Sequence, residues 1–157
     1  MLELYFDGLC EPRNPGGVAC WGYVLRENDS DPQCVLESHW RTVAGAHGVA
    51  REGPEATNNV AEWVALGKGL RYILDNYHGC PHLTIYGDSQ LVIRQLNQEW
   101  RCNKPHLQQY LTRCHEILSG LTLNWRALPI PKEDNQEARA ESSAAYLELT
   151  GREAPAR

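Results

Sequence analysis

Three carboxylates stand at the borders of regular-looking segments. Asp7 sits in Leu2-Glu3-Leu4-Tyr5-Phe6-Asp7-Gly8, Glu62 in Thr57-Asn58-Asn59-Val60-Ala61-Glu62, and Asp88 in Leu83-Thr84-Ile85-Tyr86-Gly87-Asp88-Ser89. Hard divalent cations prefer oxygen ligands, and three carboxylates gathered in space make a socket for them. Acids held that close repel one another unless a cation neutralises them. The triplet points to metal-dependent phosphodiester chemistry, provided the fold brings the three together.

The elements that would do so are legible in the pattern. Leu2, Leu4 and Phe6 alternate with Glu3, Tyr5 and Asp7, the two-residue period of a strand that Asp7 closes. Val18 to Leu25 and Val35 to Val43 read as second and third strands, separated by the turn-rich run Glu27 to Pro32. Gly45 to Ala56, with Gly45, Gly48, Gly53 and Pro54, reads as a loop. Thr57 is suited to cap a helix carrying Val60, Ala61, Val64, Ala65, Leu70, Ile73 and Leu74 at helical spacing. Gly67 and Gly69 weaken that helix by about 1 kcal/mol each, which suggests close approach to a sheet.

His82 to Gly87 follows as a fourth strand, Ser89 to Trp100 as a second helix, and Pro105 to about Leu118 as a third. Leu121 to Leu128 makes a fifth strand, and Asn135 to about Leu149 a last helix. The order βββαβααβα implies an α/β domain, one five-stranded mixed sheet flanked by helices, over residues 1–150. Residues 151–157 are expected to form a frayed tail. If strands one and four are parallel neighbours, Asp7 and Asp88 emerge at one sheet edge, where open α/β sheets bind ligands. Glu62 would reach them from the helix packed above.

At 157 residues the chain suffices for one domain with a sizeable core. It has no run of about 18 apolar residues, so no membrane span is expected. Its strand-like start argues against a signal peptide. Cys10, Cys20, Cys34, Cys80, Cys102 and Cys114 form no C-x-x-C pair, and reduced thiols in a cytoplasmic protein are expected. A formal charge of −5 argues mildly against non-specific nucleic-acid binding. Residues 90–132, however, hold six basic residues against two acidic ones, a +4 segment on a −9 background that could track phosphates.

The stretch Asp7 to Gly17, the segment Trp21-Gly22-Tyr23-Val24, the start Thr57-Asn58-Asn59-Val60-Ala61-Glu62 and the run Tyr86-Gly87-Asp88-Ser89-Gln90 resemble, in order, the motifs of type 1 ribonucleases H. The resemblance extends over residues 2 to about 149, in the short form without a basic protrusion. It implies a ribonuclease H-like fold and an endonuclease that cleaves the RNA strand of RNA/DNA hybrids with two Mg²⁺ or Mn²⁺ ions, leaving 5′-phosphate and 3′-hydroxyl ends. By that resemblance Asp7 would bridge both ions, and Glu62 and Asp88 would complete their shells. It also implies substrate contacts from Gly8, Cys10, Asn14, Thr57, Asn58, Asn59 and Gln90. Side-chain amides suit a 2′-hydroxyl because they donate and accept at once. The expected partner is the hybrid alone, with no membrane, no obligate protein partner and a monomeric state.

The chain departs from the family pattern at the last motif. Glu133-Asp134-Asn135-Gln136-Glu137-Ala138-Arg139 puts Arg139 where a fourth acid is expected, and an arginine cannot ligate a cation. Asn135, one turn earlier on the same helical face, is the favoured fourth ligand and catalytic residue. A three-acid site and Glu141 after a register slip are the other readings. A catalytically weak module that binds hybrid or double-stranded RNA is the alternative function. Trp100, Arg101 and Lys104 would give a reduced grip in place of the missing protrusion. The family's mobile histidine has no counterpart.

Overall fold

The computed structural model describes residues 1–28, 39–78, 82–121 and 124–157. Five strands, β1 (Leu2–Glu11), β2 (Val18–Asn28), β3 (Trp40–Glu52), β4 (His82–Gly87) and β5 (Asn124–Pro129), form one sheet in the order β3-β2-β1-β4-β5. Four α-helices accompany them: α1 (Asn58–Asn76), α2 (Gln90–Leu96), α3 (Pro105–Gly120) and α4 (Gln136–Thr150). β1 pairs antiparallel with β2 and parallel with β4, so the sheet is mixed and the expected element order holds. Part of the expected turn (29–32), the start of the third strand (35–38), Cys34, Cys80 and residues 122–123 lie outside the described residues.

Alternation along β1 sorts the two faces. Leu2, Leu4 and Phe6 are fully buried in the main core with Trp63, Leu66 and Leu70 of α1 and with Ile117 and Leu118 of α3. On the other face Asp7 meets Ser142 of α4. Gly69 lets α1 settle onto β1, since an added Cβ would lie 2.6 Å from Leu4 Cδ1, whereas Gly67 faces open space. The expectation of close approach therefore holds for Gly69 and not for Gly67.

Three boundaries differ most from the sequence reading. β1 does not stop at Asp7 but continues to Glu11, because β2 still offers a partner out to the Glu11–Val18 pair. β3 runs through Glu52, so most of the expected Gly45–Ala56 loop is strand. Gly48 is a steric rather than a turn residue: a Cβ there would lie 2.8 Å from the Trp21 ring. α2 ends at Leu96, because Gln98 takes a φ of +61° and the following amides turn back onto Arg94 O. Among the described residues no helix is long and apolar enough to cross a membrane, and Cys10, Cys20, Cys102 and Cys114 are free thiols.

α4 is tied to the sheet's edge strand by one histidine. His47 of β3 places Nδ1 2.6 Å from Glu141 Oε2 and Nε2 2.9 Å from Glu148 Oε1. The hydrogen bond to Glu141 outweighs burial and, with Glu148, holds the imidazole above its ordinary value of 6.5. The folded state thus binds this proton more tightly than the unfolded chain. Its stabilisation is complete below about pH 6.5 and is lost as pH rises through the raised folded value. Thermal melts of wild type and His47→Ala should converge with rising pH over that window. The low-pH gap should be about 1 kcal/mol, modest because Glu148 is largely exposed.

Candidate active site

The site begins where β4 stops. The parallel ladder between β1 and β4 closes at the Phe6–Gly87 pair, and β1 continues alone on that side. Asp7 and Asp88 are the next residues on the two strands and so sit side by side. Glu62 arrives from the second turn of α1, whose start is fixed by Thr57 Oγ1 accepting from Val60 N at 3.1 Å. One ligand oxygen from each of Asp7, Glu62 and Asp88 lies within 4.8 Å of the others.

Two glycines make this convergence possible. Gly8, next to Asp7 on β1, faces α1, and a Cβ there would lie 2.3 Å from Glu62 N and 2.4 Å from Ala61 C. Gly22, paired with Asp7 across the β1–β2 ladder, faces α4, and its Cβ would lie 2.5 Å from Ser142 N. Each glycine admits a helix backbone to one face of the sheet beside Asp7. Gly8→Ala must push α1 and Glu62 outward. It is expected to cost about 1–3 kcal/mol of stability and, with Glu62 displaced by about 1 Å, roughly a hundredfold in catalytic rate. Melting curves and single-turnover kinetics read the two separately.

The electrostatics favour a bound cation. Asp7 is fully buried and Glu62 nearly so, and Glu62 Oε2 has no hydrogen-bond partner. Burial first, then the charges of Asp7 and Asp88, push the Glu62 carboxyl well above its usual range. An all-oxygen, acid-rich set with one orphaned buried oxygen fits a hard divalent ion.

α4 contributes three further groups. Asn135, at its N-cap, donates from Nδ2 to Phe6 O at 2.9 Å and to Asp88 Oδ2 at 3.4 Å, while its buried Oδ1 has no partner. Arg139, one turn on, donates from Nη1 to Asp88 Oδ2 at 2.9 Å. Ser142 donates to Asp7 Oδ2 and is fully buried. Glu141 is turned the other way, onto His47, so a register slip does not bring it to the cluster. Ser142 escaped the sequence reading, although it shares the Asn135–Arg139 face of α4.

The expected substrate contacts are only partly gathered. A cleft of about 400 Å³ is lined by Gly8, Cys10, Asn14 and Asn58 together with Glu62 and Asp88. Asn14 and Asn58 clasp each other: Asn14 Nδ2 donates to Asn58 Oδ1 at 2.9 Å, and Asn58 N donates to Asn14 Oδ1 at 3.1 Å. Cys10 is buried, with Sγ on Arg13 O and Ala56 O. Thr57 is used as the cap. Asn59 is half-buried beside it, and Gln90 is exposed at the start of α2, accepting from Arg94 Nε at 3.4 Å. Trp100 is 47% exposed, with the Arg94 guanidinium 5.3 Å above its ring.

The tail is not frayed. Gly151 reverses the chain at a φ of +70°, Ala154 packs against the cluster of Leu9, Cys20, Ala145 and Tyr146, and Arg157 reaches the acids. Arg157 Nη2 donates to Asp7 Oδ2 at 2.6 Å and to Ser142 Oγ at 2.9 Å. No composition or periodicity signal marked this residue.

Comparison with known proteins agrees with the geometry. A family model described as reverse transcriptase-like matches residues 16–145. Ribonuclease HI of Halobacterium salinarum is 36% identical over 148 residues, covering 92% of this chain and 63% of that protein. The chain thus spans just under two thirds of that relative's length. The crystal structure of RNase H1 from the same archaeon superposes with a TM-score of 0.75 at 32% identity, over 94% of this chain and 98% of that one. LC11-RNase H1, solved in complex with an RNA/DNA hybrid, has the same fold, with a TM-score of 0.75 at 24% identity over 95% of this chain and 99% of that one. With the acid triplet, the strand order and these likenesses in agreement, the chain belongs to the ribonuclease H family.

Proposed function

We propose that the protein is a metal-dependent endonuclease that hydrolyses the RNA strand of RNA/DNA hybrids, leaving 5′-phosphate and 3′-hydroxyl ends. The observation that carries this reading is the convergence of Asp7, Glu62 and Asp88, the last two lining one cleft with the Asn14–Asn58 clasp. Two Mg²⁺ or Mn²⁺ ions, when bound, would supply an activated water and stabilise the leaving oxygen. Asp7, the central acid, would hold both ions, with Glu62 and Asp88 on either side. Asn135 would be the fourth ligand through its partnerless Oδ1, its amide turning over and exchanging the hydrogen bonds to Phe6 O and Asp88 Oδ2 for the cation.

The chain's own residues also supply recognition. Asn14, Asn58, Asn59 and Gln90 would read 2′-hydroxyls and base edges, since an amide pairs with a group that both donates and accepts. Gly8 and Cys10 would line the path of the strand. Thr57, at the N-terminus of α1, would face a phosphate of the DNA strand. Trp100, Arg101 and Lys104 would extend the grip, and a small number of phosphate contacts implies binding that weakens steeply with salt. We place the enzyme in the cytoplasm, as a monomer with no obligate protein partner. One observation favours the alternative, a weakly catalytic binding module: Arg139 occupies an oxygen of Asp88.

The test is to incubate the protein with end-labelled RNA/DNA, RNA/RNA and DNA/DNA duplexes in Mg²⁺ or Mn²⁺. Cleavage confined to the RNA strand of the hybrid supports the proposal. Binding of the hybrid without cleavage in either metal would support the module instead.

A further inference from the structure

Two of the three acids already carry a positive charge from the chain itself. Arg157 spans Asp7, with Nη2 on Oδ2 at 2.6 Å and Nη1 on Oδ1 at 3.4 Å, and Nη1 also donates to Gly8 O at 3.4 Å. Arg139 holds Asp88 Oδ2 through Nη1, and its Nη2 donates to the main-chain oxygen of Arg157. The two guanidiniums are therefore linked, and the docked tail braces the Arg139–Asp88 pair as well as the Arg157–Asp7 pair. Glu62 keeps a buried oxygen, Oε2, without a partner.

We infer that Arg157 acts as an internal counter-cation, so that docking of the Arg157 side chain and cation binding at Asp7 are mutually exclusive. This rests on the metal reading proposed above. Both Asp7 oxygens face guanidinium nitrogens, and Oδ2 also accepts from Ser142, so a metal ion cannot reach them at bonding distance until Arg157 leaves. An arginine cannot vacate the site by losing its proton. The whole side chain must therefore swing out.

The means to do so are built in. Arg157 is 23% exposed, whereas Asp7 is fully buried, so the arginine is the partner with a route to water. Upstream the tail is anchored by Ala154 against the cluster of Leu9, Cys20, Ala145 and Tyr146 and by the Thr150–Arg152 contacts that bracket Gly151. A cation thus has to displace the end of the segment without unfolding α4. Competition of this kind weakens the apparent cation affinity by the factor by which the docked form outweighs the released one. It also keeps the buried acids compensated while no metal is present.

The experiment pairs Mn²⁺ titration by calorimetry, on wild type and Arg157→Ala, with an Mg²⁺ titration of the Arg157 side-chain Nε–H resonance by NMR. Mg²⁺ is expected to move that resonance in wild type to the position of a free, solvent-exposed guanidinium. Arg157→Ala is expected to bind Mn²⁺ about tenfold more tightly, the equivalent of about 1.4 kcal/mol of Arg157 docking. Equal Mn²⁺ affinity in the two proteins, with the Arg157 resonance unmoved by Mg²⁺, would overturn the inference and leave the metal site standing. No Mn²⁺ binding in either protein would overturn the metal reading and the inference with it. The wild-type NMR measurement decides the matter even if the variant folds poorly.

Discussion

Asp7→Asn is expected to lower cleavage of the hybrid's RNA strand by about a thousandfold or more while leaving the protein folded. Asp7 is the acid that β1 holds between Asp88 on its flank and Glu62 above, and it is fully buried. Losing its charge removes the ligand proposed to be common to both ions, and the loss of even one well-placed electrostatic group costs about 10²–10³ in rate. The fold should survive, because the asparagine carbonyl can still accept from Ser142 and Arg157. Single-turnover cleavage of labelled hybrid, with a melting curve on the same sample, tests both halves. A residual rate within tenfold of wild type would remove Asp7 from the centre of the mechanism.

Glu62→Gln should separate activity from stability in opposite directions. Cleavage should fall at least as far as in a typical loss of one charged ligand, about a hundredfold or more. The metal-free protein, however, should become more stable. In the folded chain burial and the neighbouring acids raise the Glu62 carboxyl well above its ordinary value of 4.5. The native state therefore holds this proton more tightly than the unfolded chain, and stability falls as pH climbs from about 4.5 through the raised folded value. A glutamine amide carries no charge and can donate to Asp7 or Asp88. The gain at neutral pH should be about 1–3 kcal/mol, the scale of a buried group left unsatisfied. Melts in chelator across pH 4–8 would show wild type losing stability where the variant does not. Added Mg²⁺ should reverse the order, since a ligand stabilises only the form that binds it. Parallel pH profiles would mean that Glu62 carries no such strain.

Much of this site was legible because its parts are local. The alternation of Leu2, Leu4 and Phe6 against Asp7, the cap at Thr57 and the short apolar run ending at Gly87 each declare their element without help from the rest of the chain. Once β1 and β4 lie parallel, the adjacency of Asp7 and Asp88 follows from register alone. The misreadings arose where distant partners decide. β3 is strand through Gly45 and Gly48 because β2 supplies a ladder and Trp21 needs the space of a missing Cβ. α2 stops early because Gln98 adopts a left-handed conformation that its side chain does not announce. Ser142 was recoverable, since it shares a helical face with Asn135 and Arg139. Arg157 was not, because only the buried charge of Asp7, 150 residues away, gives a polar tail a place to dock.

The glycine pair flanking Asp7 has a consequence for how variation in such a gene would be filtered. Neither Gly8 nor Gly22 has a side chain to offer chemistry, yet each holds open a gap of backbone width on its own face of the sheet. In a saturation library selected for activity, the two positions should therefore behave as all-or-nothing alleles, as sparse in survivors as Asp7 itself. The Asn14–Asn58 clasp on the rim of the cleft should instead tolerate graded exchange. A map of depleted positions would thus mark a space the fold must keep empty as sharply as the acids that fill it.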